Sequence, residues 1–131
     1  MPVIFVSDTQ RRAVARVRRM IRGVNQAVSE TLGVPPNTVW VRYDPGAPEL
    51  YGEGTEGRVP KEGRPVFVFV RMTEGRDAKR LQGLFRAISG AVAKAFDMFP
   101  DFVWTRIEEF PSDHVGQGAQ SYAEIRKQKK R

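Results

Sequence analysis

The chain opens on a short apolar run, Val3 to Val6, rich in β-branched residues, which predicts a strand. Apolar positions then recur at Val14, Val17, Ile21, Val24, Val28 and Leu32. Spacings of three and four place them on one stripe of a helix. Gly33 stops that helix, and Pro35-Pro36 prevent its resumption. Val39 to Tyr43 predicts a second strand, broken by Asp44-Pro45-Gly46. The order then recurs. Val66 to Val70 is apolar throughout and is expected to be buried on both faces. Leu81, Leu84, Phe85, Ile88, Val92 and Phe96 form a second helical stripe, and Phe102 to Ile107 a fourth strand.

The recurrence holds residue by residue. A shift of 64 carries Arg12 onto Arg76, Ala27 onto Ala91, Val28 onto Val92 and Pro36 onto Pro100. It also carries Val39-Trp40 onto Val103-Trp104, Arg42 onto Arg106, and Gly52 and Gly54 onto Gly116 and Gly118. No gap is needed, which indicates one domain made by a fused duplication. Its parts are a first unit at 1–54, a linker rich in Gly and charge at 55–64, a second unit at 65–125 and a basic tail at 126–131. Right-handed crossovers make the two strands of each strand–helix–strand unit parallel. The expected fold is α+β in two layers: a four-stranded sheet with two helices on one face, and no further helix. The other face of the sheet still carries apolar residues, and association of copies would cover them.

Charge changes this picture little. The net charge is +7, with Arg11, Arg12, Arg16, Arg18, Arg19 and Arg22 crowded in one stretch. Such a surface attracts nucleic acid or small anions alike. No aromatic residues are interleaved with the cations, so nucleic acid is not the expected partner. The run Arg126 to Arg131 is expected to be a solvated end. With no cysteine and a single histidine, His114, neither a thiolate nor a histidine-rich metal site is available within one chain. No apolar run reaches membrane-spanning length and no signal segment is visible, so a cytoplasmic location is expected.

The candidate chemistry lies at the start. Pro2 follows the initiator Met1, and a small second residue permits removal of the methionine. Pro2 would then be a secondary amine. A terminal amine titrates near ~8 in water. Burial or a neighbouring cation lowers that value, leaving a neutral base or nucleophile near neutral pH.

Met-Pro opening onto a strand, the βαβ repeat and the paired glycine turns together resemble the tautomerase superfamily, and within it the fused relatives of 4-oxalocrotonate tautomerase. The second half carries Glu74-Gly75-Arg76-Asp77 at its helix start, Val103-Trp104 through Glu108-Glu109, and His114-Val115-Gly116-Gln117-Gly118. The first half carries Pro2, Arg12 and Tyr51-Gly52-Glu53-Gly54. The resemblance covers nearly the whole chain apart from linker and tail. It implies a tautomerase/MIF-like fold and a cofactor-free tautomerase assembled as a homotrimer. Pro2 would move a proton on a small 2-oxo or enol acid. Arg76 would hold the carboxylate or polarise the carbonyl, a task that suits a guanidinium fork.

Arg106 and Arg71 are candidates to assist, and Gln117 and Tyr51 to line the site. Arg12 is either the first-half counterpart of Arg76 or a solvated helix-start arginine. Trp40 and Trp104 are expected in the core or an interface, and His114 in a turn. There are departures from the family pattern. Trp40 and Trp104 stand where the small tautomerase has an arginine. Gln117 replaces the water-activating Glu of the 3-chloroacrylic acid dehalogenases, and Thr73 replaces their second arginine. Thr38 replaces the Asp of the malonate semialdehyde decarboxylases. Tautomerisation is therefore favoured over hydration, dehalogenation or decarboxylation, with a non-catalytic protein binding an anionic ligand as the other alternative. Pro65 is internal, so its nitrogen is an amide and the other half carries no second amine.

Overall fold

Both segments with helical spacing fold as helices. In this computed structural model, which describes residues 1–55, 57 and 64–129, helix α1 spans Val14–Leu32 and α2 spans Ala78–Phe96. The strands are β1 (Val3–Asp8), β2 (Trp40–Asp44), β3 (Val66–Thr73) and β4 (Val103–Phe110). They form one sheet in the order β2-β1-β3-β4. β1 and β2 run parallel, as do β3 and β4, while β1 and β3 pair antiparallel. Most of the expected linker lies outside the described residues.

The shift of 64 is visible in the fold. It carries the bounds of α1 onto those of α2. It carries the 3-10 turn Pro36–Thr38 onto Pro100–Phe102. The helix C-caps Gly33 and Asp97 are both left-handed, with φ of 66° and 51°. The cap N–H donates to Ser29 in one half and to Ala93 in the other. At Asp97 a left-handed conformation that glycine adopts freely is held by a residue that tolerates it.

Alternation along the strands decides the two faces of the sheet. Ile4, Val6, Val66, Val68 and Val70 are fully buried and pack with Met20, Val24, Val28, Leu84, Ile88, Val92 and Phe96 of the helices. The stripe of α1 is rotated from expectation: Met20 is fully buried, whereas Val14 is 66% exposed. The opposite face carries Phe5, Phe67 and Phe69, all half-buried, flanked by the exposed Trp40 and Trp104. Burial of Val66 to Val70 on both sides is thus incomplete within one chain. The Trp104 ring lies 5.8 Å from that of Phe67 and 5.7 Å from that of Phe69.

Two expectations are corrected. A small hairpin of β5 (Gly116–Gln117) and β6 (Gln120–Ser121) leads into a third helix, α3 (Tyr122–Lys129). Arg126 to Lys129 therefore belong to a helix, although all four stay exposed. No helix among the described residues is long and apolar enough to cross a membrane.

The halves differ at their helix starts. Asp77 caps α2 by accepting from the Arg80 N–H at 2.8 Å, whereas Ala13 at the start of α1 has no side-chain cap bond. Asp77→Ala is expected to lower the unfolding free energy by about 1 kcal/mol in urea titrations.

Candidate active site

The antiparallel register pairs Val3 with Arg71, so the start of the chain lies where β3 ends. The Trp40 N–H donates to the Pro2 carbonyl at 3.1 Å, continuing the β2 pairing to the second residue. Beyond Thr73 the chain turns sharply into α2. Gly75 takes φ 120° in that turn, a conformation side-chain-bearing residues avoid. The Glu74 N–H donates to the Phe110 carbonyl at 2.8 Å, tying the turn to the end of β4. Five segments meet at one end of the sheet: the N-terminus, the α1–β2 connection, the β3–α2 turn, the β5–β6 hairpin and α3.

Between them is a cleft of about 290 Å³. Met1, Pro2, Arg76, Gln117, Arg126 and Lys129 line it, with Val34, Pro35 and Ile125 among its apolar walls. No Asp or Glu is among the described residues that line it. The Met1 amine is held below its ordinary value of 8.0, first by burial and then by Arg76, Arg126 and Lys129. Arg76 is likewise lowered, first by burial and then by Arg126. It remains a cation at neutral pH. Arg76 Nη1 donates to the Thr73 carbonyl at 2.7 Å and to its hydroxyl at 3.2 Å. Arg126 Nη2 donates to the same hydroxyl at 2.8 Å. Thr73 itself is fully buried.

Of the residues singled out from the sequence, the structure brings Pro2, Arg76 and Gln117 into this cleft. The other four lie elsewhere. Arg12 occupies the station of Arg76 in the first half, but there Asp8 stands where the second half has Met72. Arg12 Nε donates to Asp8 Oδ2 at 2.7 Å, and its guanidinium lies 4.2 Å from the centre of the Phe96 ring. The Tyr43 hydroxyl donates to the same carboxylate oxygen at 2.6 Å. Burial, followed by the Asp8 carboxylate, pushes the Tyr43 hydroxyl well above the ordinary tyrosine value. An internal anion thus occupies Arg12.

Arg71 and Arg106 stand on the open face of the sheet, because strand alternation turns them away from the helices. Both pair with Glu108, at 2.9 and 3.3 Å, and Arg71 also lies 4.9 Å from the Phe5 ring. Tyr51 is at the same face, with its ring 6.1 Å from Phe67 and its hydroxyl donating to Glu53.

Sequence reasoning missed Arg126 and Lys129 by assigning them to the tail. The overlooked signal is Ser121-Tyr122-Ala123-Glu124, the spacing of a capping box. The Glu124 N–H donates to the Ser121 hydroxyl at 3.2 Å, and the Ser121 N–H donates to Glu124 Oε1 at 3.5 Å. Buried Tyr122 donates its N–H to the Val115 carbonyl at 2.8 Å, anchoring the helix start.

No family model and no curated protein matches the sequence. Solved structures do share the fold. A fused 4-OT wild type described as an asymmetric trimer is 21% identical, with a TM-score of 0.86 over 94% of this chain and 98% of that one. Pt0534, inactivated by 2-oxo-3-pentynoate, is 18% identical with a TM-score of 0.83, again over 94% and 98%. FG41 malonate semialdehyde decarboxylase, inhibited by 3-bromopropiolate, is 20% identical with a TM-score of 0.75 over 96% of each chain. The chain therefore has the fused tandem βαβ fold of those proteins.

The closed first-half station makes a stability prediction. Asp8 is fully buried at its side chain and Arg12 is 11% exposed at its own. Asp8→Ala leaves that cation without its partner and is expected to cost about 3 kcal/mol of unfolding free energy, measured in urea.

Proposed function

We propose that this chain is a cofactor-free tautomerase in which Pro2, freed by removal of Met1, is the general base toward a small 2-oxo or enol carboxylic acid. The observation that carries the proposal is the start of the chain lying inside a cation-lined cleft beside Arg76. Arg76 would hold the carboxylate or polarise the 2-oxo group. The neutral amine would take a proton α or γ to the carbonyl and return it further along the dienol, so that nothing is consumed. Similarity to proteins described with a 2-oxo alkynoate and a halopropiolate supports an acid of this size. That no carboxylate is among the described residues lining the cleft favours proton transfer over hydration or dehalogenation, which need a group to activate water.

The apolar open face of the sheet supports a homotrimer, as does the similarity to a fused 4-OT described as an asymmetric trimer. Any contribution of Arg71, Arg106 or Tyr51 to binding would then cross a subunit boundary. A non-catalytic anion-binding protein is the second reading, because the same cations would hold an acid without turning it over.

Phenylenolpyruvate ketonisation separates the two. Pro2→Ala is expected to lower kcat by roughly 10²-fold or more, and equal rates would remove the mechanism. Mass spectrometry of the purified protein should find Met1 absent, since a retained methionine makes the Pro2 nitrogen an amide. The pH profile follows from the direction of the amine's shift. Burial, Arg76, Arg126 and Lys129 lower the Met1 amine, and the same surroundings should lower a freed Pro2 amine. The base works unprotonated, so kcat/KM should rise with pH through an inflection below the ordinary value of such an amine and then level off. Light scattering should give a particle of about three 14.8 kDa chains.

A further inference from the structure

We infer that Arg126, carried by the C-terminal helix α3, binds the substrate carboxylate together with Arg76, which makes α3 part of the active site. The inference rests on the proposal that this cleft receives a small acid. Its observation is the pair of guanidinium groups at Thr73, whose single buried hydroxyl accepts from both arginines. Two cations this close repel each other. Elsewhere in the chain Arg12, Arg42, Arg71 and Arg106 each have a carboxylate oxygen within 3.4 Å. Neither Arg76 nor Arg126 has one among the described residues.

A guanidinium has five N–H donors. Among the described residues, Arg76 uses Nη1 and Arg126 uses Nη2, both on Thr73. The donors of both that meet no partner among the described residues are available to a ligand at the mouth of a cleft that also holds the chain start. An anionic acid supplies the missing counter-charge, and two guanidinium forks converging on one carboxylate can grip it more firmly than either alone. The delivery is rigid. The capping box at Ser121 and the buried Tyr122 fix the start of α3, and Arg126 follows one turn later. Thr73 is the positioning residue that spaces the two heads.

The test combines turnover with binding on the full chain. Steady-state ketonisation of phenylenolpyruvate is measured for the wild type, Arg126→Gln, Arg126→Lys and Pro2→Ala. Calorimetric titration with phenylpyruvate follows on the wild type and the two Arg126 variants. Removing one charge-assisted contact should raise both KM and the phenylpyruvate Kd by roughly 10- to 100-fold in Arg126→Gln, with kcat changed far less. Arg126→Lys should recover part of the loss, which a purely structural role for the arginine would not predict. An unchanged Kd in Arg126→Gln overturns the inference and leaves Pro2 chemistry standing. If the wild type does not turn over the substrate, the proposed reaction fails and the titration alone decides Arg126. A Kd weakened by Arg126→Gln then supports it, and equal binding, or no binding to the wild type, overturns it.

Discussion

The antiparallel pairing of β1 with β3 is the constraint on which the candidate site depends. Within each half the crossover only requires that two strands lie parallel under one helix. The way the halves meet is set by the register Val3 to Arg71, and that register delivers the first residues of the chain to the end of β3. Once they are there, the β3–α2 turn supplies Arg76 and the segment after β4 supplies Gln117 and α3. Burial and three cations then act on the terminal amine together.

The same pairing builds an equivalent station at the other end of the two strands, and the two stations have diverged. At one, Asp8 lies beside Arg12 and Tyr43 in a closed network, and Pro65 is an internal peptide whose carbonyl accepts from the Thr9 hydroxyl at 3.0 Å. At the other, Met72 offers no charge, so Arg76 keeps free donors, and the chain begins there. A buried cation requires an anion nearby. The first half supplies its own in Asp8, which already meets the charge of Arg12. The second half leaves that place open. Of the two similar frames, the one around Arg76 opens on a cleft and the one around Arg12 is closed by its own carboxylate.

The open face of the sheet follows a different logic. Phe5, Phe67 and Phe69 sit between Trp40 and Trp104, with Arg71 and Arg106 tied by Glu108. Arg71 and Arg106 looked from the sequence like members of one site with Arg76. Strand alternation turns Arg71 and Arg106 to the face away from the helices, whereas Arg76 lies in the turn that follows β3. Their ion pairs and their aromatic surroundings belong to a surface rather than to the cleft.

The periodicities by themselves determined the strands, the two long helices and the duplication, because local spacing reports which side of an element meets the core. The matching bounds of α1 and α2 under a shift of 64 are the clearest instance. The resemblance to a known family, read from the sequence, also singled out Pro2, Arg76 and Gln117. The sequence did not disclose α3, because a run of cations masks a short helix whose only markers are a capping box and the spacing of Tyr122 and Ile125. Nor could it tell Arg12 from Arg76, which occupy one position in the repeat. That distinction depends on which carboxylate comes within a few ångströms, and only the tertiary structure decided it, because electrostatic partnership is a matter of distance in space and not of separation along the chain.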